Sequence, residues 1–289
     1  MSSTTADNGA EDRYDEGRGR LAVVLGGANG IGAATAVLLA RRGWRIMVAD
    51  IDEAAAAATA QQVRGDSIRI DVLDAHSIAD AAQAIESRHG VIHGMVNSAA
   101  IFQPQMAPEL LPLETWDRIV HSAYRGSYVA CVEFGKRMAA HGAGAIVNIS
   151  SMVGQRPNHG HAYYSAKAAV NMLTEGMAGE WGRSGVRVNA VSPGFVAVPR
   201  MVAQIAEGKR YAVSPVEVSA LGKLVEPFEV AEAIAFLLSD KASAITGANL
   251  NVDAGVLATN GWVVHGGVPP ARPRAPLGTA GSASDDDDH

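Results

Sequence analysis

The sequence predicts an α/β fold, a single domain built on a doubly wound parallel sheet with helices on both faces. Two observations carry that reading. Short apolar runs alternate with helix-like segments from residue 21 to residue 252, the order expected of strands joined by helical crossovers. The junction between the first run and the first helix, LAVVLGGANGIG at 21–32, is rich in glycine. Right-handed crossovers then bring ligands to the carboxyl ends of the strands.

Each element follows in turn. LAVVL (21–25) is a buried strand, and 30–42 is a helix stopped by Gly43. RIMVAD (45–50) is the second strand and EAAAAATAQQV (53–63) the second helix. SIRID (67–71) is a strand, 76–88 a helix and VIHGMVN (91–97) a strand. Residues 113–140 are largely helical, GAIVNIS (144–150) is a strand, 161–182 a helix and VRVNAVS (186–192) a strand. A helix over 227–239 and a strand over 248–252 close the set.

Residues 1–19 are polar and acidic and are expected to form a disordered tail. Residues 20–268 form the folded domain, and 269–289 a flexible acidic tail. The net charge is −6, of which Asp285 to Asp288 supply −4 and residues 1–20 another −2, so residues 21–284 sum to zero. A neutral body argues against nucleic acid or an anionic membrane as partner. The single cysteine, Cys131, excludes an intrachain disulfide. With no run of 18 apolar residues and no apolar leader, the chain is expected to be cytoplasmic.

Gly26, Gly30 and Gly32 lie between a strand and a helix. A pyrophosphate reaches backbone only where side chains are missing, and a helix N-terminus offers N–H groups and a positive dipole end. This is the Rossmann-type dinucleotide arrangement. Asn29 and Ile31 belong to the same loop. Asp50 ends the second strand, 18 residues after Gly32, and Ile51 follows it. A carboxylate there accepts from the adenosine ribose hydroxyls and repels a 2′-phosphate, so NAD is expected rather than NADP. Asp71 and Val72 end the third strand beside the adenine, and Asn97 ends the fourth beside the ribose.

The stretch AYYSAK (162–167) holds two tyrosines and a lysine. Lys167 lies four residues after Tyr163 and three after Tyr164, so helical spacing allows either to share its face. An ammonium beside a phenol stabilises the phenolate, so a lowered tyrosine pKa is expected. Such a group exchanges a proton with an alcohol or carbonyl.

Together these residues resemble the short-chain dehydrogenase/reductase family, in its compact single-domain, NAD-preferring form. The resemblance runs from about Leu21 to Gly255 and includes the segments NAVSPG (189–194), GKLVEPFEVAEAIAFLLSD (222–240) and TGANLNVDAG (246–255). It implies that Tyr163, the tyrosine with lysine at plus four, is the general acid/base. It makes Lys167 its partner and a ribose ligand, and Ser151 the group orienting the substrate oxygen. Ala99, Pro193, Gly194 and Val196 complete the implied cofactor site. The implied reaction interconverts a secondary alcohol and a ketone, and the implied assembly is a tetramer or dimer.

Four positions depart from the family pattern. Leu25 stands where the glycine loop usually opens with Thr, and Ala100 where Gly usually permits positive φ. Val198 replaces a Thr hydroxyl after the Pro-Gly turn. Ala123 replaces the Asn that helps position a relay water, leaving Ser122 or His121 as other routes. An alternative reading is therefore an NAD-binding protein of this fold with weak or non-redox activity.

The segment QRPNHGHA (155–162) should border the substrate. Its Arg156, His159 and His161 suit a small polar substrate such as a polyol, sugar or hydroxy acid. No carboxylate or cysteine joins His159 and His161, so no metal is expected. Residues 199–215 are expected to act as a lid. Trp262 and His265, beyond the last strand, are expected either to cover a pocket or to pack at a subunit contact.

Overall fold

The computed structural model describes residues 17–208 and 211–272. Strands β1 (Leu21–Leu25), β2 (Arg45–Asp50), β3 (Asp66–Arg69), β4 (Ile92–Asn97), β5 (Gly144–Ile149), β6 (Val186–Pro193) and β7 (Asn249–Val252) form one sheet. They are all parallel and lie in the order β3-β2-β1-β4-β5-β6-β7. The helices are α1 (Gly30–Arg41), α2 (Glu53–Val63), α3 (Ala75–His89), α4 (Leu113–Val120), α5 (Gly126–His141), α6 (His161–Trp181), α7 (Pro199–Ala206) and α8 (Pro227–Leu238).

Both faces of the sheet are covered, which is why its central strand β1 reads as an unbroken apolar run. In β1, Ala22 and Val24 pack on one side with Leu39 of α1, Ala60 of α2 and Ile234 of α8. Leu21, Val23 and Leu25 face the other side, with Ile78 of α3, Phe134 of α5 and Ala178 of α6. Strand β1 lies between β2 and β4, so successive crossovers leave it in opposite directions. A crevice opens there at the carboxyl ends.

Three expectations change. Residues 17–19, read as tail, are held on the domain: Gly17 N donates to Arg42 O at 2.6 Å and Gly19 N to Gly43 O at 3.0 Å. The rest of the expected N-terminal tail, 1–16, and residues 273–289 lie outside the described residues. Strand β3 ends earlier than expected because Asp71 turns the chain. Its Oδ1 accepts from Leu73 N at 2.9 Å and its N–H donates to Ser77 Oγ. The helix expected over 113–140 is interrupted by one π-helical turn at His121–Arg125.

The start of α1 runs against the glycine loop. A Cβ on Gly32 would stand 2.0 Å from Gly26 O, a contact only backbone movement can relieve. Gly32→Ala is therefore expected to cost about 1–3 kcal/mol and to lower Tm by several degrees. Gly176→Ala, on α6 with nothing within 4 Å of its Cβ position, is expected to raise stability slightly through helix propensity. Thermal melts of the two variants check both signs.

Candidate active site

A cleft of about 1190 Å³ runs along the carboxyl edge of the sheet. That is large enough for a dinucleotide together with a small substrate. Gly26, Asn29, Gly30, Ile31, Asp50, Ile51, Asp71, Val72 and Ala99 form one part of its wall. Ser151, Tyr163, Lys167, Pro193, Gly194 and Val196 form another. Two expected cofactor residues do not line it. Gly32 is buried in the packing of α1 on the loop. Asn97 is buried as well, and its Nδ2 donates to Ser127 Oγ at 2.8 Å, tying β4 to α5.

The glycine loop is shaped by backbone contacts. Gly26 has φ of 71°, and a Cβ there would meet Ala99 N at 2.7 Å. The loops after β1 and β4 touch, which requires a residue without a side chain. Gly26 N and Gly27 N both donate to Ala49 O, at 2.8 and 3.2 Å. Asp50 braces the loop from below, its Oδ2 accepting from Ala28 N at 3.1 Å and its Oδ1 from Asp52 N at 3.2 Å. These bonds hold the loop where Leu25, fully buried, supplies no hydroxyl. Ala100 is absent from the positive-φ residues, so it carries no left-handed strain. Val198 packs its Cγ1 3.4 Å from the Cβ position of Gly30.

The two tyrosines separate clearly. Tyr163 lines the cleft with Ser151 and Lys167, and Tyr164 does not. Tyr164 instead meets the edge of His161, ring centroids 6.2 Å apart. The hydroxyl of Ser150 donates to Lys167 O at 3.1 Å, whereas Ser151 Oγ accepts only a long 3.4 Å bond from Val153 N. Both serines reach the cleft, and Ser151 keeps its hydroxyl proton for a ligand.

Lys167 is buried, and its Nζ donates to Ile149 O at 2.7 Å. Burial pushes its pKa down to about 8. The Nζ lies 5.5 Å from the centroid of the Tyr163 ring. The expected lowering of the Tyr163 pKa is reversed here. Burial raises it, and Arg200 opposes that only in part. The ammonium is directed at a carbonyl of β5, so desolvation of the phenolate outweighs its attraction.

Three residues of this site were not singled out from sequence. Phe102 stacks on Tyr163 with centroids 5.2 Å apart, and Arg200 lies over the Phe102 ring at 4.0 Å. Gln103 is the third. Its Oε1 accepts from Ala162 N at 2.7 Å and from Tyr163 N at 3.3 Å. It thereby caps α6, whose own N-cap residue Gly160 offers no side chain. Residues 102–103 are loop in sequence, and neither spacing nor composition marks a contact 59 residues away.

Ala123 sits in the π-helical turn and is fully buried. Its carbonyl accepts from Ser127 Oγ at 2.7 Å. Ser122, considered as a substitute relay, is used structurally: its Oγ accepts from Ile101 N at 3.0 Å and donates to Ile119 O. Of the polar residues between Ser151 and Tyr163, His159 lines the cleft, and Arg156 and His161 do not. Pro199, Arg200, Met201, Gln204 and Tyr211, in the segment expected to be a lid, form part of the wall. Nothing from 256 to 268 does, and Trp262 and Val264 are exposed. Among the described residues, no cluster of His, Cys, Asp and Glu could hold a metal, and no helix is long and apolar enough to cross a membrane.

The chain is similar to known proteins over most of its length. The family model described as enoyl-(acyl carrier protein) reductase matches residues 26–257. The cis-4-hydroxycyclohexanecarboxylate dehydrogenase of Sinomonas cyclohexanicum is 38% identical over 244 residues, which span 83% of this chain and 97% of that one. The D-threitol dehydrogenase of Mycolicibacterium smegmatis is 37% identical over 244 residues, 82% of this chain and 92% of the other. A crystal structure titled ribose-5-phosphate isomerase, from Brucella melitensis 16M, has a TM-score of 0.85 at 42% identity, covering 90% of this chain and 100% of that one. The class is thus that of nicotinamide-dependent oxidoreductases acting on CH–OH groups. Within it, the chain belongs to the short-chain dehydrogenase/reductase family.

Gln103→Leu removes the acceptor for two N–H groups at the start of α6. The expected cost is about 1–2 kcal/mol of stability, as for other lost caps, together with a lower kcat. Gln103→Glu retains an acceptor and should recover most of the stability. Melting curves and steady-state kinetics of the pair check this.

Proposed function

We propose that the protein interconverts a secondary alcohol and a ketone with NAD(H), on a small polar substrate, and that Tyr163 is the general acid/base. One observation carries the reading: Tyr163, rather than Tyr164, shares the cleft wall with Ser151 and the buried Lys167. The glycine loop fits a dinucleotide, since side chains are missing where backbone must approach phosphate.

In this reading Asn29, Gly30 and Ile31 hold the pyrophosphate at the start of α1. Asp50 receives the adenosine ribose, and Asp71 and Val72 border the adenine. The carboxylate of Asp50 is fixed by two backbone N–H groups. Among the described residues the cations on the cleft wall are Arg118, Lys167 and Arg200, none of them on β2 or in the glycine loop. A 2′-phosphate would therefore meet a fixed negative charge without a counter-ion, which favours NAD.

A nicotinamide held in the cleft would supply the hydride acceptor for the carbinol carbon, or the hydride donor for the ketone. Tyr163 takes the hydroxyl proton in the oxidation and gives it back in the reduction. Ser151 donates to the reacting oxygen, and Lys167, bonded to Ile149 O, holds α6 and Tyr163 at the cleft wall. With its pKa raised by burial, Tyr163 is protonated at neutral pH, the form that carbonyl reduction uses. Alcohol oxidation uses the phenolate and should rise with pH, whereas reduction should fall as pH climbs through the Tyr163 pKa. The exposed apolar side chains of Trp116, Tyr124, Tyr128 and Met172 favour a homo-oligomer, dimer or tetramer.

The D-threitol and hydroxycyclohexanecarboxylate dehydrogenases among the relatives support a polar alcohol as substrate. A second reading has the same cofactor cleft serving non-redox chemistry; Ala123 and the isomerase title of the Brucella structure favour it. A panel of polyols, sugars and hydroxy acids, followed by NADH absorbance, separates the two. Tyr163→Phe is expected to lose at least about 10² in kcat/KM, with Tyr164→Phe near wild type. Asp50→Asn should narrow the preference for NAD over NADP. Product formed with no net change in NADH would select the second reading.

A further inference from the structure

The charges on the cleft wall are divided by position. Its acidic side chains, Asp50 and Asp71, stand after β2 and β3. Among the described residues, every other charged wall residue is a cation: Arg118, Lys167 and Arg200, with His159 as a further nitrogen base. Arg200, an exposed residue at the start of α7, reaches the chemistry through Phe102. Its guanidinium lies 4.0 Å from the Phe102 ring centroid, and that ring stacks on Tyr163 at 5.2 Å. Its charge is felt at the Tyr163 hydroxyl. Among the described residues, no Asp or Glu pairs with it.

A second feature points to a polar ligand in the same place. Gln103 is only 7% exposed, lines the cleft, and has a buried Nε2 with no hydrogen-bond partner. The Oε1 of the same amide is fixed by two N–H donors, so the amide cannot turn over to relieve its orphan. Gln204, one helical turn after Arg200 on α7, also lines the cleft and has a buried Oε1 without a partner. An unpaired buried donor and acceptor each cost stability until a ligand satisfies them.

We propose that the alcohol substrate carries a carboxylate, and that Arg200 is the residue that selects it. The inference rests on the dehydrogenase reading above and names its substrate class. A guanidinium held flat on an aromatic face presents its N–H fork to a carboxylate in two parallel bonds. Arg200 and Tyr163 both lie against the Phe102 ring, 4.0 and 5.2 Å from its centroid, so a carboxylate on Arg200 and a carbinol carbon at Tyr163 would be held about a ring apart. That spacing fits a hydroxy acid whose two groups are several carbons apart, and it disfavours a 2-hydroxy acid. The polar atoms of Gln103 and Gln204 remain for other oxygens of the substrate. The reaction is that of the dehydrogenase reading. The carbinol C–H leaves as hydride to NAD, the O–H proton leaves through Tyr163, and the carboxylate is unchanged.

The test uses the full chain with 4-hydroxycyclohexanecarboxylate, its neutral carboxamide, lactate and a neutral polyol. Turnover is measured by NADH formation, and binding by the thermal shift each acid or amide produces with NADH present. The acid is expected to exceed the amide in kcat/KM, chiefly through KM, and to give the larger thermal shift. Arg200→Gln is expected to reduce the acid-to-amide ratio by roughly ten- to a hundredfold, and Arg200→Lys to restore part of it. Lactate is expected to be a poor substrate. Equal handling of acid and amide by the wild type would overturn the proposal, as would an unchanged ratio in Arg200→Gln. A rise confined to the KM for NAD in that variant would reassign Arg200 to the cofactor phosphates. Oxidation of the polyol alone, without a shift by the acid, would refute the carboxylate but leave the dehydrogenase reading standing. Turnover of nothing on the panel, with the acid still giving an Arg200-dependent shift, would do the reverse.

Discussion

The site depends on one buried hydrogen bond, from Lys167 Nζ to Ile149 O at 2.7 Å. Withdrawing an ammonium from water is costly, and the cost is bearable only with a well-placed acceptor. The end of β5 supplies that acceptor, so helix α6 is bound to the carboxyl edge of the sheet at one rotation. Ser150 adds a second tie by donating to Lys167 O. The close approach is built in, since a Cβ at Gly154 would stand 2.8 Å from Lys167 C. Tyr163, one turn before Lys167, is thereby directed into the cleft, and Tyr164 is carried away from it. A lysine so anchored keeps its charge near the tyrosine without bonding to it.

The departures from the family pattern are absorbed by local structure. At Leu25 the missing hydroxyl is offset by backbone bonds from Gly26 and Gly27 to Ala49 O and by the brace of Asp50. Ala100 avoids the conformation that would strain it. Ala123 fills a closed core position, and Asn97 and Ser127 form a hydrogen-bonded chain to its carbonyl. That chain links β4 to α5 and gives the π-helical turn a structural use. Each change alters the packing around the cleft and leaves the tyrosine–lysine geometry intact.

The fold was legible because parallel strands covered on both faces are largely apolar, as LAVVL is throughout and GAIVNI is apart from Asn148. The short edge strand β3 was harder. Asp66–Arg69 holds mostly polar residues, and its end is set by the turn at Asp71. The glycine loop, Asp50 and the Ser151–Tyr163–Lys167 set were legible because their chemistry fixes residue type and spacing along the chain. Asn97 ends a strand, where a side chain can face either a ligand or a helix, and its amide faces α5. Phe102, Gln103 and Arg200 lie on irregular segments or at a helix start. Their meeting with α6 is created by tertiary closure and has no period in the sequence.

Burial keeps Tyr163 protonated in the cofactor-free protein, and positive charge brought into the cleft lowers its pKa toward working pH. The direct measurement is an ultraviolet difference titration of phenolate, wild type minus Tyr163→Phe, with and without saturating NAD. The account predicts that Tyr163 titrates above the ordinary tyrosine value of about 10 in the free protein and markedly lower in the NAD complex. A Tyr163 that titrates at the ordinary value and does not respond to NAD would contradict it.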